Sequence, residues 1–90
     1  MAGNTMTLQI ISPDGVFYKG EVTMLEMTTT EGEAGIYPGH IPMTNILKPC
    51  IASIHEDSKI KRAKIQGGFS QILQDSVTIL AEIAEWAEEI

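Results

Sequence analysis

The sequence predicts an all-β chain, an antiparallel β-sandwich or flattened barrel of about eight to ten short strands. Three observations predict it. Turn residues recur every ~8–12 positions, hydrophobic residues between them alternate with a period of two, and a helical period emerges only toward the C-terminus. Ninety residues with 43% hydrophobic content and no low-complexity tract make one globular domain with a modest core.

Taken in order, Thr7 to Ser12 alternates with Leu8 and Ile10 on one side, and Pro13-Asp14-Gly15 is a turn tripeptide. A strand follows at Val16 to Tyr18, Lys19-Gly20 breaks it, and Glu21 to Thr29 runs on as the next strand. Within that run Thr23, Leu25 and Met27 share one face, while Val22, Met24, Glu26 and Thr28 share the other. Both faces carry hydrophobes, as in a strand covered on both sides or one whose second face meets a partner.

The decapeptide Glu31 to His40 packs three glycines, a proline and a histidine together and reads as turn, short strand, turn. Met43 to Leu47 forms either a short strand or a turn of helix, ended by Pro49. Cys50 to His55 resumes the alternation, and Glu56-Asp57-Ser58 loops into a second arm at Lys59 to Gln66. Gly67-Gly68 bends the chain, Phe69 to Leu73 is a strand, Gln74-Asp75-Ser76 turns it back, and Val77 to Ala81 is another. In the tail, Ile79, Ile83, Trp86 and Ile90 recur at the helical period with acids between them, and acids suit a helix start. The sandwich is therefore assigned to 1–82 and an acidic exit segment to 83–90, with Trp86 capping the core or covering a sheet edge.

Composition excludes several functions. A net charge of -6 argues against a nucleic-acid binder, which needs a basic surface to displace counterions. No apolar run approaches the ~20 residues of a membrane span, and the start lacks a signal-peptide pattern, so a soluble chain that stays where it is made is expected. Cys50 has no internal disulfide partner, and its place at a strand entry predicts a buried thiol. The cluster Lys59, Lys61, Arg62 and Lys64 is either a solvated strand face or a docking patch for an acidic partner.

The sequence also offers no chemistry. There is no phosphate-binding Gly-Lys-Ser/Thr loop, no nucleophile elbow, and no four-ligand zinc pattern, so no catalytic residue, metal or cofactor is expected. Glu31 with Glu33, and Glu56 with Asp57, sit in loops where carboxylates are ordinarily solvated. From its residues alone, His40 is either a loop histidine satisfying a local carbonyl or packing on Tyr37, or a functional contact.

An ordered series of motifs goes further. Leu8-Gln9-Ile10-Ile11-Ser12-Pro13, Val16-Phe17-Tyr18-Lys19-Gly20, the decapeptide with Ile41-Pro42-Met43, Leu47-Lys48-Pro49, Ile65-Gln66-Gly67-Gly68-Phe69 and Val77 to Glu82 follow one another at family spacing. Over nearly its whole length the chain resembles the N-terminal domain of the epsilon subunit of F-type ATP synthases. The resemblance implies a non-catalytic central-stalk subunit that couples rotation of the membrane ring to the gamma shaft, in ATP synthesis driven by proton or sodium transport. It implies gamma and the polar loops of the ring as partners, no nucleic acid, a monomer when isolated, and a peripheral place at the cytoplasmic face of a bacterial plasma membrane.

By match of motif, Ser12 and His40 would face gamma and Glu31 and Glu33 the ring, with Gly32, Gly35, Pro38 and Gly39 shaping the turns. Val22 and Met24 are expected to offer apolar area to gamma from the exposed face of their strand. The family also implies a last strand and an extended exit where the helical period lies. Ala34 stands where the family often has a larger hydrophobe, which predicts a looser turn. Epsilon subunits usually continue into a helical hairpin that inhibits ATP hydrolysis and in some members binds ATP. With that hairpin absent, assembly and coupling are implied, inhibition and a nucleotide site are not. The alternative is a free-standing sandwich that binds some other protein.

Overall fold

The computed structural model describes residues 5–87. They form ten strands: β1 (Met6–Ser12), β2 (Gly15–Val22), β3 (Met24–Thr29), β4 (Gly32–Ile36), β5 (Met43–Ile46), β6 (Cys50–His55), β7 (Ile60–Gln66), β8 (Phe69–Ile72), β9 (Ser76–Leu80) and β10 (Ile83–Trp86). Sheet one has the order β2-β1-β9-β8-β5 and sheet two the order β10-β7-β6-β3-β4, five strands each. Neighbours run antiparallel except β1 and β9, which pair in parallel at the centre of sheet one. The alternation read from the sequence fills the space between the sheets: Leu8, Ile10, Leu25, Ile54, Ile65, Ile72 and Ile79 are fully buried.

The break expected at Gly20 does not occur. Gly20 stays in the ladder opposite Leu8, and a Cβ there would lie 2.8 Å from the Tyr18 hydroxyl, so its glycine makes room for a tyrosine ring rather than a turn. The chain breaks at Thr23 instead. There it crosses from sheet one to sheet two, and the Thr23 amide and hydroxyl both donate to the His55 carbonyl, at 2.7 and 3.0 Å. Val22 and Met24 therefore belong to different sheets. Val22 points into the core with no exposed surface and leaves the set of candidate contacts, which corrects the expectation that it lies on an exposed face.

Two open readings resolve as strands. Residues 43–46 pair with β8, and Leu47 bridges to Thr29, tying the two sheets together along their β4 and β5 edges. Ile83–Trp86 pairs with β7, so the helical reading fails there and the sandwich extends past residue 82. Ala84 and Trp86 face inward opposite Ile65 and Ala63, and the ring of Trp86 stacks on Phe17 with centroids 4.6 Å apart. That contact closes the sandwich between β2 and β10, and a strand delivers it better than a turn of helix. Residues 88–90, the end of the helical reading, lie outside the described residues.

Within the core one group is out of place. Ser70 has no exposed surface, and its hydroxyl has no partner among the described residues. An unpaired buried hydroxyl costs ~1–3 kcal/mol. Ser70→Ala is expected to raise stability by about 1 kcal/mol, read as a melting temperature ~4–8 °C higher.

Candidate interaction surface

The decapeptide divides into two turns at opposite ends of the sandwich. Thr29 is buried, and its hydroxyl accepts the Glu31 amide and donates to the Gly32 carbonyl, both at 3.0 Å. This closes the β3–β4 hairpin and leaves Glu31 and Glu33 exposed at its tip. Ala34 lies in β4 against the core rather than in that turn. At the other end of β4, the His40 amide donates to the Tyr37 carbonyl at 3.2 Å, with Pro38 second in the turn and Gly39 third at φ 89°. Such a turn requires positive φ at its third residue, which explains Pro-Gly. The Gly39 amide then anchors the turn to Gln74 in the β8–β9 loop at 2.7 Å. The His40 ring donates through Nδ1 to the Ile41 carbonyl at 2.7 Å, the local contact that its residues alone allow.

Ser12 is at the hairpin end, not the histidine end. Its hydroxyl accepts the Asp14 amide at 3.3 Å and shapes the β1–β2 turn, and Ile11 beside it pairs with Leu80, next to the strand ends that meet Thr29. The Gly39 anchor sits instead beside Asp75, whose carbonyl accepts the Thr7 amide. Thr7 and Ser12 are five residues apart along β1, about 17 Å of strand. The structure thus puts Ser12 and Glu31 at the same end of the sandwich, on opposite sides of its width, and sets His40 at the other end, with sheet one as the element that Ser12 and His40 both border.

The outer faces of the two sheets differ sharply in chemistry. On sheet two, Glu26, Glu33, Arg62, Lys64 and Glu85 bring charges of both signs to the outer face, and His55 Nε2 meets Glu26 at 3.1 Å. Met24 lies half-buried on this face, beside His55. The basic cluster does not form one patch. Lys61 turns the other way, over the rings of Tyr18 and Trp86 at 5.6 and 5.7 Å, and pairs with Glu56 at 3.5 Å. Tyr18 donates to the same Glu56 carboxylate, which holds Glu56 below the ordinary carboxylate range, while burial and that neighbouring acid raise the Tyr18 phenol. These groups latch the β2–β10 seam.

Sheet one is different. Val16, Ile11, Leu80, Phe69 and Ile46 are direct cross-strand partners, one from each of its five strands, and form a single apolar row across its outer face. Val16 and Ile46 are 59% and 63% exposed, and Leu80 and Phe69 about 40%. The adjacent row on β1, β9, β8 and β5 is Gln9, Thr78, Gln71 and Thr44, polar but uncharged. In a chain with 20% charged residues, that four-stranded face carries no charge. Depletion of charge beside exposed apolar and aromatic side chains is the signature of an interface centre. The sequence reading missed this row, although each member is visible as a hydrophobe out of phase with its strand, such as Ile11 after Ile10 and Leu80 after Ile79.

No three His, Cys, Asp or Glu side chains converge to hold a metal among the described residues. Cys50 is half-buried, and its Sγ accepts the Thr28 amide at 3.4 Å.

The family model of the ATP synthase, Delta/Epsilon chain, beta-sandwich domain matches residues 5–87, the whole of the described fold. The chain belongs to this family. Among members of the delta/epsilon family it is 42% identical over 87 residues to the ATP synthase epsilon chain of Caldanaerobacter subterraneus subsp. tengcongensis, covering 96% of this chain and 63% of that one. It is 38% identical over 86 residues to the ATP synthase epsilon chain of Bacillus velezensis, covering 96% and 65%. The chain thus spans a little under two thirds of the curated relatives it matches. Its fold matches a chain in the Euglena gracilis mitochondrial ATP synthase OSCP/F1/c-ring structure with a TM-score of 0.89 and 27% identity, covering 97% of this chain and 56% of that one. A chain of the Tetrahymena thermophila mitochondrial ATP synthase central stalk/c-ring shares the fold at a TM-score of 0.74 and 16% identity, over 89% of this chain and 65% of that one.

Proposed function

We propose that this chain is a non-catalytic central-stalk subunit of a rotary F-type ATP synthase, which passes rotation of the membrane ring to the gamma shaft by protein contacts. Its family membership and the complexes that hold its structural neighbours support that role. The observation that carries the mode of attachment is the apolar row across the outer face of sheet one, beside which β1, β9, β8 and β5 carry no charge and only β2 brings ions, Lys19 and Glu21. In this reading gamma packs on that face, bordered by Ser12 at one end and the His40 turn at the other. Glu31 and Glu33, held out by the β3–β4 hairpin, meet the polar loops of the ring, and the complex sits at the cytoplasmic face of a bacterial membrane, serving ATP synthesis coupled to proton or sodium transport.

Magnitudes assign the two contacts different work. Exposed ion pairs from Glu31 and Glu33 are worth ~0–1 kcal/mol each, too little to hold a subunit under torque. Covering the exposed half of five apolar side chains yields roughly 1 kcal/mol apiece. Attachment therefore rests on gamma, and the ring contact orients. The two packed sheets supply the stiffness that coupling needs, since close-packed cores transmit strain.

The test is to mix the purified chain with gamma at micromolar concentration and run size exclusion. Co-elution supports the proposal, and separate peaks from demonstrably folded chain sink it. His40→Ala is expected to leave the melting temperature unchanged, because its ring bonds only to the neighbouring carbonyl, while weakening gamma binding by roughly 1 kcal/mol, about fivefold. Unaltered affinity would reduce His40 to a turn residue.

A further inference from the structure

We infer that the outer face of sheet one receives a single amphipathic helix of its partner, laid across the strands along the row Val16, Ile11, Leu80, Phe69 and Ile46. The inference rests on the reading that gamma is the partner and adds the kind of surface gamma must present.

The shape of the patch selects the occupant. A second sheet packing face to face would need apolar side chains over several successive rows, because stacked sheets interdigitate across their whole area. Here only one row is apolar, and the next, Lys19, Gln9, Thr78, Gln71 and Thr44, is polar, with its single ion at the β2 edge. The patch is a line, one residue wide and five strands long, at right angles to the strands. An extended segment laid along that line would cross the strands rather than join their ladder, and would bury its own amides and carbonyls without partners. A helix satisfies its backbone internally and presents one apolar stripe.

Charge and length agree with the same occupant. The flanking glutamines and threonines can bond to polar residues beside the stripe without the desolvation cost of burying an ion. Four inter-strand spacings make the row ~19 Å long, which about 13 residues of helix cover at 1.5 Å each. The stripe would then carry hydrophobes at the spacing of successive turns, three and a half turns in all.

Photo-crosslinking amino acids placed singly at Val16, Leu80 and Ile46 of the whole chain, in complex with purified gamma, test this directly. All three positions are exposed, so the variants should melt with the parent. The expected result is three adducts within one gamma segment, in that order or its reverse, successive adducts about six to seven residues apart. Adducts all falling within about six residues, the length of extended chain spanning the same distance, would overturn the helix. So would adducts in separate segments, adducts to a second copy of this chain, or a complex that gives none. Failure to form any complex with gamma would instead overturn the central-stalk reading, and this inference with it.

Discussion

Phe69→Asp is expected to weaken binding to gamma by about a hundredfold or more while leaving the chain folded. Phe69 stands in sheet one's apolar row, between Leu80 and Ile46, and is 41% exposed in the isolated chain. Covering it with a partner would strip water from the new carboxylate with no cation on β1, β9, β8 or β5 of that face to receive it, a cost of several kcal/mol. About 3 kcal/mol corresponds to roughly two orders of magnitude in affinity. The isolated chain does not bear that cost, because the side chain reaches solvent. Ile51→Asp is the matched control. Ile51 is 53% exposed on the outer face of sheet two, opposite Lys64 and beside Glu26 and Glu33, and its replacement should leave affinity within about a factor of two. Titration calorimetry of both variants against gamma checks the pair, and equal losses from both would contradict the assignment of faces.

The largest effect on stability is expected from Gly68→Ala. Gly68 has φ 101°, and a Cβ there would stand 1.9 Å from the Leu80 carbonyl oxygen and 2.9 Å from the Ala81 Cα. Both are backbone atoms, and neither can retreat without opening the β8–β9 ladder, whose first pair is Phe69 with Leu80. Strain at positive φ adds ~1 kcal/mol or more, and the clash must be relieved by moving paired strands. A loss of about 4 kcal/mol is expected, a large part of the ~5–10 kcal/mol that holds a domain of this size. Gly35→Ala provides the contrast. Its added Cβ would meet the flexible end of Met24 at 3.3 Å and the Tyr37 ring at an ordinary 3.9 Å, so a change within about 1 kcal/mol is expected. Urea denaturation of both variants reads the difference, and similar midpoints would show that the β7–β8 bend tolerates a side chain.

Much of the architecture is legible in the sequence because turns are local. Pro13-Asp14, Pro38-Gly39 and Gly67-Gly68 each specify backbone conformation within a few residues, and each forms the expected turn or bend. Gly20 misleads because a glycine that makes room for the ring of a same-face neighbour, Tyr18, looks the same in sequence as one that ends a strand. The tail misleads for another reason. Ile83 and Trp86 satisfy a helical spacing, and only the stacking of Trp86 on Phe17 and the ladder with β7 select the strand.

The candidate site was less legible than the fold. Motif resemblance points to Ser12, Glu31, Glu33 and His40, and the structure separates His40 from the rest by the length of the sandwich. The apolar row is assembled from residues as distant in sequence as Ile11 and Leu80, and it exists only once the parallel β1–β9 register is set. No local pattern encodes that register.

If the apolar row of sheet one is where this chain attaches to gamma, as proposed, methyl-labelled NMR tests it most directly. On titration with gamma, the methyl signals of Ile11, Val16, Ile46 and Leu80 should shift or broaden together, while those of Ile51 and Ile60 on sheet two stay in place. Perturbation of Ile51 and Ile60 with the four sheet-one residues unmoved would contradict it.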